Sequence, residues 1–310
     1  MKVVLDLDRL LADGRISSEE YQRLARLGME ATGGLAFNLL IGFGVVMVSV
    51  ALLALLPSAI TALVLGLLIL LGGLWVLRAG LSQWRLLGNI CVLVGALMGG
   101  VGLVAVAEGA AWSLWAMALG YGLAGVIAGS HLLAVLAVLA VGASVGARTG
   151  YMHAMYFLGV EMPSVTIGLF TALGVGLYQL SKLLSVELRG LAIIAARTCV
   201  LLVNFGFWIG SLWGDRLWSV QIGRESFAIG WALALIAVGL WGYSRGRRWV
   251  LNSAAVFGGI HFYTQWFENL EATPGTVLIA GLLALGAALG LRRLNRQLVE
   301  APTGPLAGHG

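Results

Sequence analysis

Charged side chains are scarce in this chain. Only 11% of its 310 residues are Asp, Glu, Lys or Arg, whereas soluble proteins carry about 25%. The net charge of +5 comes mainly from basic residues that flank apolar stretches, which is typical of topology signals and lipid contacts rather than of nucleic-acid binding. The scarcity of charge therefore excludes an ordinary water-soluble domain, and we expect no nucleic-acid partner.

The chain also has little of what catalysis or metal binding requires. Its two cysteines, Cys91 and Cys199, fall in apolar stretches without a CxxC partner, which is typical of small buried apolar residues. None of its four histidines stands in an HExxH motif, and no GxxxxGK[S/T] phosphate loop occurs. We therefore expect a protein that is not an enzyme, with no catalytic residues, no metal and no cofactor.

What the chain does have is ten apolar stretches, most of them about twenty residues long. A helix of that length can cross the hydrocarbon layer with every backbone N–H and C=O hydrogen-bonded within itself. We predict an all-α, polytopic helical membrane bundle of about ten transmembrane helices at 33–297, followed by a flexible tail at 298–310. The predicted loops in region 87–146 are very short. For two of the spans there, a re-entrant or a fused helix is therefore the alternative. The predicted spans are 33–56, 59–79, 87–107, 110–128, 130–146, 164–182, 191–213, 226–243, 249–268 and 274–291.

Residues 1–32 predict a small N-terminal helical hairpin on the cytoplasmic side. Residues 3–11 suit a short helix, and Gly14 suits a turn. Ser17 followed by Glu20 is the pattern of a capping box, in which each side chain bonds the other residue's backbone N–H at the start of a helix. Two such short helices bury little area, so we expect the hairpin to pack against the membrane domain or a partner.

Basic residues are distributed unevenly among the predicted loops. With the N-terminus in the cytoplasm, only Arg148, Arg216 and Arg224 lie outside, Arg197 lies within a span, and the other fifteen lie inside. Lys and Arg concentrate in cytoplasmic loops of membrane proteins. The bias therefore predicts that both termini are cytoplasmic, and it fits an even number of spans.

Two parts of the chain resemble each other. Residues 73–78, GLWVLR, match residues 239–245, GLWGYSR, and the gap from Asn89 to Glu108 equals the gap from Asn252 to Glu271. These matches predict a parallel repeat of 33–128 and 191–291, which is a known plan of transporters. Coincidence in a chain rich in Gly and Leu is the alternative.

Glycines four residues apart recur within the predicted spans. Small residues at that spacing let membrane helices approach closely, either within one chain or between two copies. We expect packing within the chain as the rule. The pairs are Gly95 with Gly99, Gly125 with Gly129, Gly206 with Gly210, and Gly286 with Gly290.

The ninth predicted span holds the best candidate site. His261, Gln265 and Glu268 share one helical face, and polar groups in a span are costly unless they face a bundle interior or a wet cavity. A histidine near a glutamate can carry protons at physiological pH. The alternative is a helix end that rises into the headgroup layer, with Glu268 in water. We predict substrate contacts at these three residues.

Arg197 and Asn252 complete the predicted site. Arg197 lies about one and a half turns inside the seventh span, where an arginine binds an anionic group or extends its side chain to the cytoplasmic headgroups. Asn252, like Asn38, Asn89 and Asn204, is a single amide in or near a span. Such amides form interhelical hydrogen bonds, and lining a solute path is the alternative.

Residues 10–24, LLADGRISSEEYQRL, combine leucines, Gly, Ile-Ser, Glu-Glu and an aromatic residue. This pattern resembles the hairpin that precedes the spans in families of uncharacterised bacterial membrane proteins, and it is similar to the short helical modules called SHOCT. Residues 248–263, followed by Gly281 and by Arg292 and Arg293, resemble the final two spans of the same families. The resemblance covers only the ends of the chain. It implies the bacterial inner (plasma) membrane and a hairpin that mediates association, and it brings no activity, cofactor or catalytic residue.

Two functions remain open at this point. The first is permease-like transport of a small solute, supported by the number of spans, the repeat and the Gly-rich packing. The second is a non-catalytic membrane scaffold or assembly factor that recruits a protein partner or a second copy through residues 1–31. Membrane lipid surrounds the chain in both. A polar cavity reaching His261 would favour transport, and a bundle packed dry throughout would favour the scaffold.

Overall fold

The computed structural model describes residues 7–80, 82–152, 155–217 and 219–300. This part of the chain contains eleven α-helices, one 3₁₀ turn and two antiparallel β-hairpins. The elements are α1 (Leu7–Ala12), α2 (Ser18–Leu55), α3 (Ala59–Arg78), the 3₁₀ turn (Ser82–Trp84), α4 (Arg85–Val106), α5 (Ala111–Ala128), α6 (His131–Ser144), β1 (Ala147–Met152), β2 (Met155–Val160), α7 (Pro163–Leu180), α8 (Val186–Trp213), β3 (Asp215–Leu217), β4 (Val220–Ile222), α9 (Arg224–Ser244), α10 (Arg248–Leu270) and α11 (Pro274–Glu300).

Helices α2 to α11 coincide one by one with the ten predicted spans, which confirms the all-α polytopic membrane bundle. Eight of them are long and apolar enough to cross a bilayer. The exceptions are α6, which has 14 residues, and α10, which has 23 residues but is too polar. At 1.5 Å per residue, α6 is about 21 Å long, shorter than the roughly 30 Å hydrocarbon layer. The short helix α6 therefore lies in region 87–146, for which a re-entrant span was the predicted alternative.

Large apolar side chains face outward along the spans. Leu40, Leu68 and Leu119 are 70%, 61% and 65% exposed. An apolar surface of this kind is unfavourable in water but matches lipid tails, which are themselves apolar. The chain is therefore an integral membrane protein.

The N-terminal hairpin forms its predicted cap. The Ser17 side chain accepts a hydrogen bond from the Glu20 N–H at 3.1 Å, and the Ser17 N–H donates to Glu20 Oε2 at 2.9 Å. Tyr21 donates from its hydroxyl to Asp8 Oδ1 at 2.8 Å, which ties α2 to α1 and raises the pKa of Tyr21. The second helix of the hairpin does not end before the membrane. It continues as α2 to Leu55, so the predicted boundary at residue 32 falls within one continuous helix.

The chain forms two compact units. The first comprises residues 1–144 and 177–195. Its core contains Val92, Ala96 and Ala124. Asn38, which is 4% exposed, donates to the Gln83 carbonyl at 2.8 Å and accepts from the Leu87 N–H at 3.2 Å. This interhelical bonding joins α2 to the start of α4, as the sequence predicted for such an amide.

Within the first unit, α3 and α4 touch backbone to backbone through glycines. A Cβ added at Gly73 would lie 2.7 Å from Val92 N, and one added at Gly95 would lie 2.7 Å from Gly66 O. No side chain larger than hydrogen fits at such distances. The predicted close packing at Gly95 is confirmed.

The second unit comprises residues 145–176 and 196–310. A Cβ added at Gly206 would lie 2.9 Å from Ile167 Cγ1, and one at Gly210 would lie 2.6 Å from Phe227 Cδ1. These glycines therefore make close contacts within the chain, as predicted. Gly286 and Gly290 have no atom within 4 Å of an added Cβ, so they make no such contact in the described part.

Both β-hairpins belong to the second unit, and no pattern in the sequence predicted strands there. Arg148 pairs with Gly159 in the β1–β2 register, and Arg216 pairs with Gln221 in the β3–β4 register. The first hairpin connects α6 to α7. The predicted tail lies largely outside the described residues, because α11 continues to Glu300 and residues 301–310 are not described.

Candidate functional site

Helix α10 places two of the predicted site residues together. His261 and Gln265 are one turn apart and half-buried. His261 Nδ1 and Gln265 Nε2 are both shielded from solvent and have no hydrogen-bond partner in the described part of the chain, and the same holds for Trp266 Nε1. A buried polar group without a partner costs about 1–3 kcal/mol. Three such atoms within two turns of helix therefore mark the place where a ligand or water would restore the missing hydrogen bonds.

Helices α8 and α9 supply the surroundings of His261. The Trp231 ring meets the His261 ring edge-on, with centroids 4.9 Å apart and planes at 71°. Trp231 donates from Nε1 to Asn204 Oδ1 at 2.9 Å, and Asn204 donates from Nδ2 to the Val200 carbonyl at 2.8 Å. Trp231 is only 1% exposed. Hydrogen bonds thus join α8 to α9 through Asn204 and Trp231, and an aromatic ring contact joins Trp231 to His261 of α10.

A second contact joins α8 directly to α10. Trp208, one turn after Asn204, donates from Nε1 to Thr264 Oγ1 at 3.0 Å. We call Asn204, Trp208, Trp231, His261 and Thr264 the aromatic cluster. Each tryptophan in it presents an apolar body for packing and one N–H that needs an acceptor, which suits a buried position beside a polar side chain.

The other three predicted residues are exposed and do not belong to the aromatic cluster. Arg197 is exposed, and its guanidinium carbon stands 4.8 Å from the centroid of the Trp249 ring at the start of α10. Trp249 precedes His261 by about 18 Å along the helix axis, at 1.5 Å per residue. Asn252 and Glu268 are also exposed and lie toward opposite ends of α10. Of the five, His261 and Gln265 are half-buried and one turn apart on α10, and the exposed Glu268 follows Gln265 within one further turn.

A cleft of about 770 Å³ opens at the end of the second unit where α8 finishes. Its walls come from the end of β2, the starts of α7 and α9, the end of α8, and both strands of the β3–β4 hairpin. The charged lining residues are Glu161, Asp215, Arg216 and Arg224. In the predicted orientation this is the outer side. The cleft lining contains no residue of α10, so the cleft does not reach His261.

Asp215 builds one wall of this cleft. Its Oδ2 accepts a hydrogen bond from the Ser164 N–H in the first turn of α7 at 2.8 Å. The first turn of a helix has N–H groups without partners in the helix, and a carboxylate there is favourable. Asp215 therefore fastens the β3–β4 hairpin to α7.

Trp208 and Trp231, which supply the hydrogen bonds and the ring contact of the aromatic cluster, were not predicted as site residues. Hydropathy marks a tryptophan in a span only as another large apolar side chain. A usable signal was the coincidence of Asn204 with an interior tryptophan on a later span, since both must find a partner away from water.

Another feature missed in the sequence is the pentapeptide Gly142–Gly146, which has the GxSxG spacing of a nucleophile elbow. That elbow is a sharp turn from a strand into a helix, which exposes the serine. Here the order is reversed, because Ser144 ends α6 and β1 follows. Ser144 donates from Oγ to the Val141 carbonyl at 2.7 Å. The pattern is therefore not an elbow. No group of three metal-ligating His, Cys, Asp or Glu side chains occurs in the described ranges.

Comparisons with known proteins do not assign the chain to a family. No family model matches the chain, and neither the curated proteins nor the solved structures include a significant match. The class of protein is therefore the one that the fold defines, an integral membrane protein with a multi-pass helical bundle.

Proposed function

We propose that this protein is a permease-like transporter of a small solute, and that His261 and Gln265 contact the solute. The observation that carries the proposal is the set of buried, unpartnered polar atoms on α10. We place the protein in a bacterial inner membrane with both termini in the cytoplasm, on the distribution of its basic residues and the resemblance of its ends.

Polar composition supports a path beside α10. This helix is long enough to cross a bilayer, yet it is too polar to count among the eight apolar spans. Polar side chains at membrane depth face a bundle interior or a water-filled cavity. The aromatic cluster places such side chains on the side of α10 that meets α8 and α9.

Access of water to α10 is the first test. In a chain with Cys91→Ala and Cys199→Ala, the variants His261→Cys and Gln265→Cys are each treated with a membrane-impermeant methanethiosulfonate reagent in proteoliposomes. We expect labelling at both positions. The control is Ala96→Cys, which lies in the dry core of the first unit at 3% exposure and should not react. Absence of labelling at both test positions, with the chain folded, would contradict the path.

Solute movement is the second test. Proteoliposomes are shrunk osmotically, and their reswelling is followed by light scattering in a panel of small neutral, anionic and zwitterionic solutes. We expect one class to enter faster than in protein-free vesicles, and Gln265→Leu to slow that entry at least tenfold. The control Gln179→Leu changes an exposed amide on α7 and should leave the rate unchanged. If no solute class enters faster than through bare lipid, the transport proposal fails.

The N-terminal hairpin favours the scaffold as a second candidate function. Its capping box and the Tyr21–Asp8 hydrogen bond give it a defined shape, and α2 joins it without a break to the first span. Under this function, deleting residues 1–31 abolishes association in chemical cross-linking of intact cells and leaves cysteine labelling of α10 unchanged. Under the transport proposal, deletion leaves the solute flux intact.

A further inference from the structure

The cleft presents one unpaired side chain of each charge. Arg224 Nε contacts Glu225 Oε1 at 3.2 Å, and Asp215 is engaged with the start of α7. Among the described residues, Glu161 and Arg216 have no ion-pair partner. Both line the cleft and both are exposed to solvent, so both are available to a ligand.

Backbone geometry holds Glu161 in its place. Gly146, with φ +85°, accepts a hydrogen bond from the Glu161 N–H at 3.2 Å. A Cβ at Gly146 would lie 2.7 Å from Glu161 Cβ and 2.9 Å from its Oε2. A positive φ and this lack of space both require glycine. The carboxylate is therefore set against the backbone, not left on a free loop.

The β3–β4 hairpin fixes the position of Arg216. It faces Gln221 in the β3–β4 register, and both residues line the cleft. Gly214, with φ +70°, precedes the hairpin, and a Cβ there would lie 2.7 Å from the Ile222 carbonyl oxygen. Opposite residues of an antiparallel pair project to the same face, so the guanidinium and the amide offer donors side by side.

We propose that this cleft binds a small zwitterion that carries a primary ammonium group and a carboxylate or phosphate. Arg216 takes the anionic group by charge-assisted hydrogen bonds, with Gln221 as a further donor. Glu161 accepts from the ammonium group, and the exposed Trp213 ring in the cleft wall offers it a cation–π surface. As a substrate class for transport this proposal rests on the proposed function, whereas occupancy of the cleft does not.

Two sources share this chemistry. One is a free amino acid or a short peptide, and the other is the ethanolamine headgroup of a phospholipid. The cleft volume of about 770 Å³ accommodates either. Because the lining residues lie at one end of α7, α8 and α9, we expect the cleft at the membrane surface, within reach of both the aqueous phase and the headgroup layer.

Calorimetry with matched probes tests the charge requirement. The full chain, in delipidated maltoside detergent, is titrated with 5-aminovalerate, valerate and pentylamine, which have similar length and differ in their charged ends. We expect 5-aminovalerate to bind at least tenfold more tightly than either of the others. Equal affinity for valerate and 5-aminovalerate would overturn the proposal, because it would remove any role for Glu161.

Variants assign each end of the zwitterion. We expect Arg216→Gln and Glu161→Gln each to weaken 5-aminovalerate binding at least tenfold. Arg216→Gln should also weaken the binding of valerate and leave that of pentylamine unchanged. Glu161→Gln should weaken the binding of pentylamine and leave that of valerate unchanged. The control Arg245→Gln removes an exposed arginine at the far end of α9 and should bind as the parent does. Because a misfolded variant would lose all three probes, the crossed pattern separates recognition from loss of fold.

Native mass spectrometry separates the two sources. A lipid source is indicated if dioleoylphosphatidylethanolamine is retained in preference to dioleoylphosphatidylglycerol and is lost in Glu161→Gln. A free solute is indicated if 5-aminovalerate binds and neither lipid is preferred. If no probe and no ethanolamine lipid binds, the proposal is overturned. If the probes bind in the cleft but no solute enters the vesicles, this inference stands and only the transport proposal is contradicted. If solute enters and both cleft variants leave its rate unchanged, the transport proposal stands and the cleft ligand is not the transported class.

Discussion

The helix pair α3–α4 in the first unit and the pair α9–α10 in the second are the parts that the predicted repeat aligns, yet they are packed differently. In α3–α4, Gly73 and Gly95 bring backbone against backbone. In α9–α10, Trp231 fills the space and bonds onward to Asn204 of α8. The first contact is backbone against backbone, and the second is aromatic and hydrogen-bonded. The two aligned pairs are therefore held by different kinds of contact.

One backbone feature agrees with the predicted repeat. Glu108 and Glu271, which the sequence comparison pairs, have φ of 50° and 58°, and they are the two non-glycine residues with positive φ in the described part of the chain. They follow α4 and α10 in turn. Such conformations are uncommon for residues other than glycine. The repeat stays a prediction, and the positive φ at both glutamates supports it.

The largest expected effect comes from adding one carbon to the glycine contact. Gly73→Ala should destabilise the protein by about 3 kcal/mol, because backbone atoms of α4 cannot move aside as a flexible side chain can. Unfolding in mixed detergent micelles measures the loss. The matched control is the adjacent Gly72→Ala, where an added Cβ meets nothing within 4 Å. Equal effects at the two positions would mean that α3 and α4 are not in backbone contact.

The aromatic contact should depend on a hydrogen bond instead. Trp231→Phe leaves Asn204 Oδ1 buried without a donor and should cost about 2 kcal/mol. Adding Asn204→Leu should recover most of this loss, since removing both polar partners leaves no unpaired group. The same unfolding measurement on both single variants and the double variant gives the coupling. Strict additivity would show that the bond contributes nothing to stability.

If the helix pairs α3–α4 and α9–α10 are copies of one repeat, replacing Glu108 or Glu271 by glycine should change the stability of the protein in the same direction. Glu108→Gly and Glu271→Gly should each stabilise the protein by about 1 kcal/mol, because glycine adopts positive φ without a steric penalty. Thermal unfolding in detergent detects the gain. Glu268→Gly, three residues before Glu271 and within α10, serves as the control and should lose about 1 kcal/mol. A gain at one glutamate and a loss at the other would weaken the case for the repeat.

The smallest effect is expected at the start of α10. Arg197→Met removes the cation above the Trp249 ring and should cost about 0.5 kcal/mol, the size of an exposed cation–π contact. Trp249→Leu should cost at least as much, and the double variant should show coupling. The comparison is with Arg245→Met, another exposed arginine of the second unit. If Arg197→Met costs no more than that control, the arginine serves the headgroup layer alone.

Short-range patterns were the ones that predicted structure well. Ser17 and Glu20 are three residues apart, so their capping box depends on local geometry alone. The helices α2 to α11 follow from runs of apolar residues, because a single helix satisfies its own backbone in lipid. Asn38 was correctly expected to bond between helices, although its partners, Gln83 and the Leu87 N–H, were not predictable. A one-residue pattern shows the need for a partner and not the identity of the partner.

Long-range features were not predictable to the same degree. The continuation of the hairpin through α2 was missed because a capping box marks where a helix starts and carries no information on where it ends. The strands of both hairpins were missed because each is only three or six residues long. Of the predicted site, His261 and Gln265 lie side by side because they are one turn apart on α10, whereas Arg197 of α8 contacts Trp249 at the start of that helix.

The amino-acid sequence by itself determined that this chain is a helical membrane protein, where its helices lie and where its first long helix is capped. Those properties depend on the transfer of single helices into lipid and on contacts within one turn. Only the tertiary structure decided that Trp231 meets His261 and that Glu161 and Arg216 line one cleft. Such meetings depend on the depth and rotation of each helix, which packing against its neighbours sets.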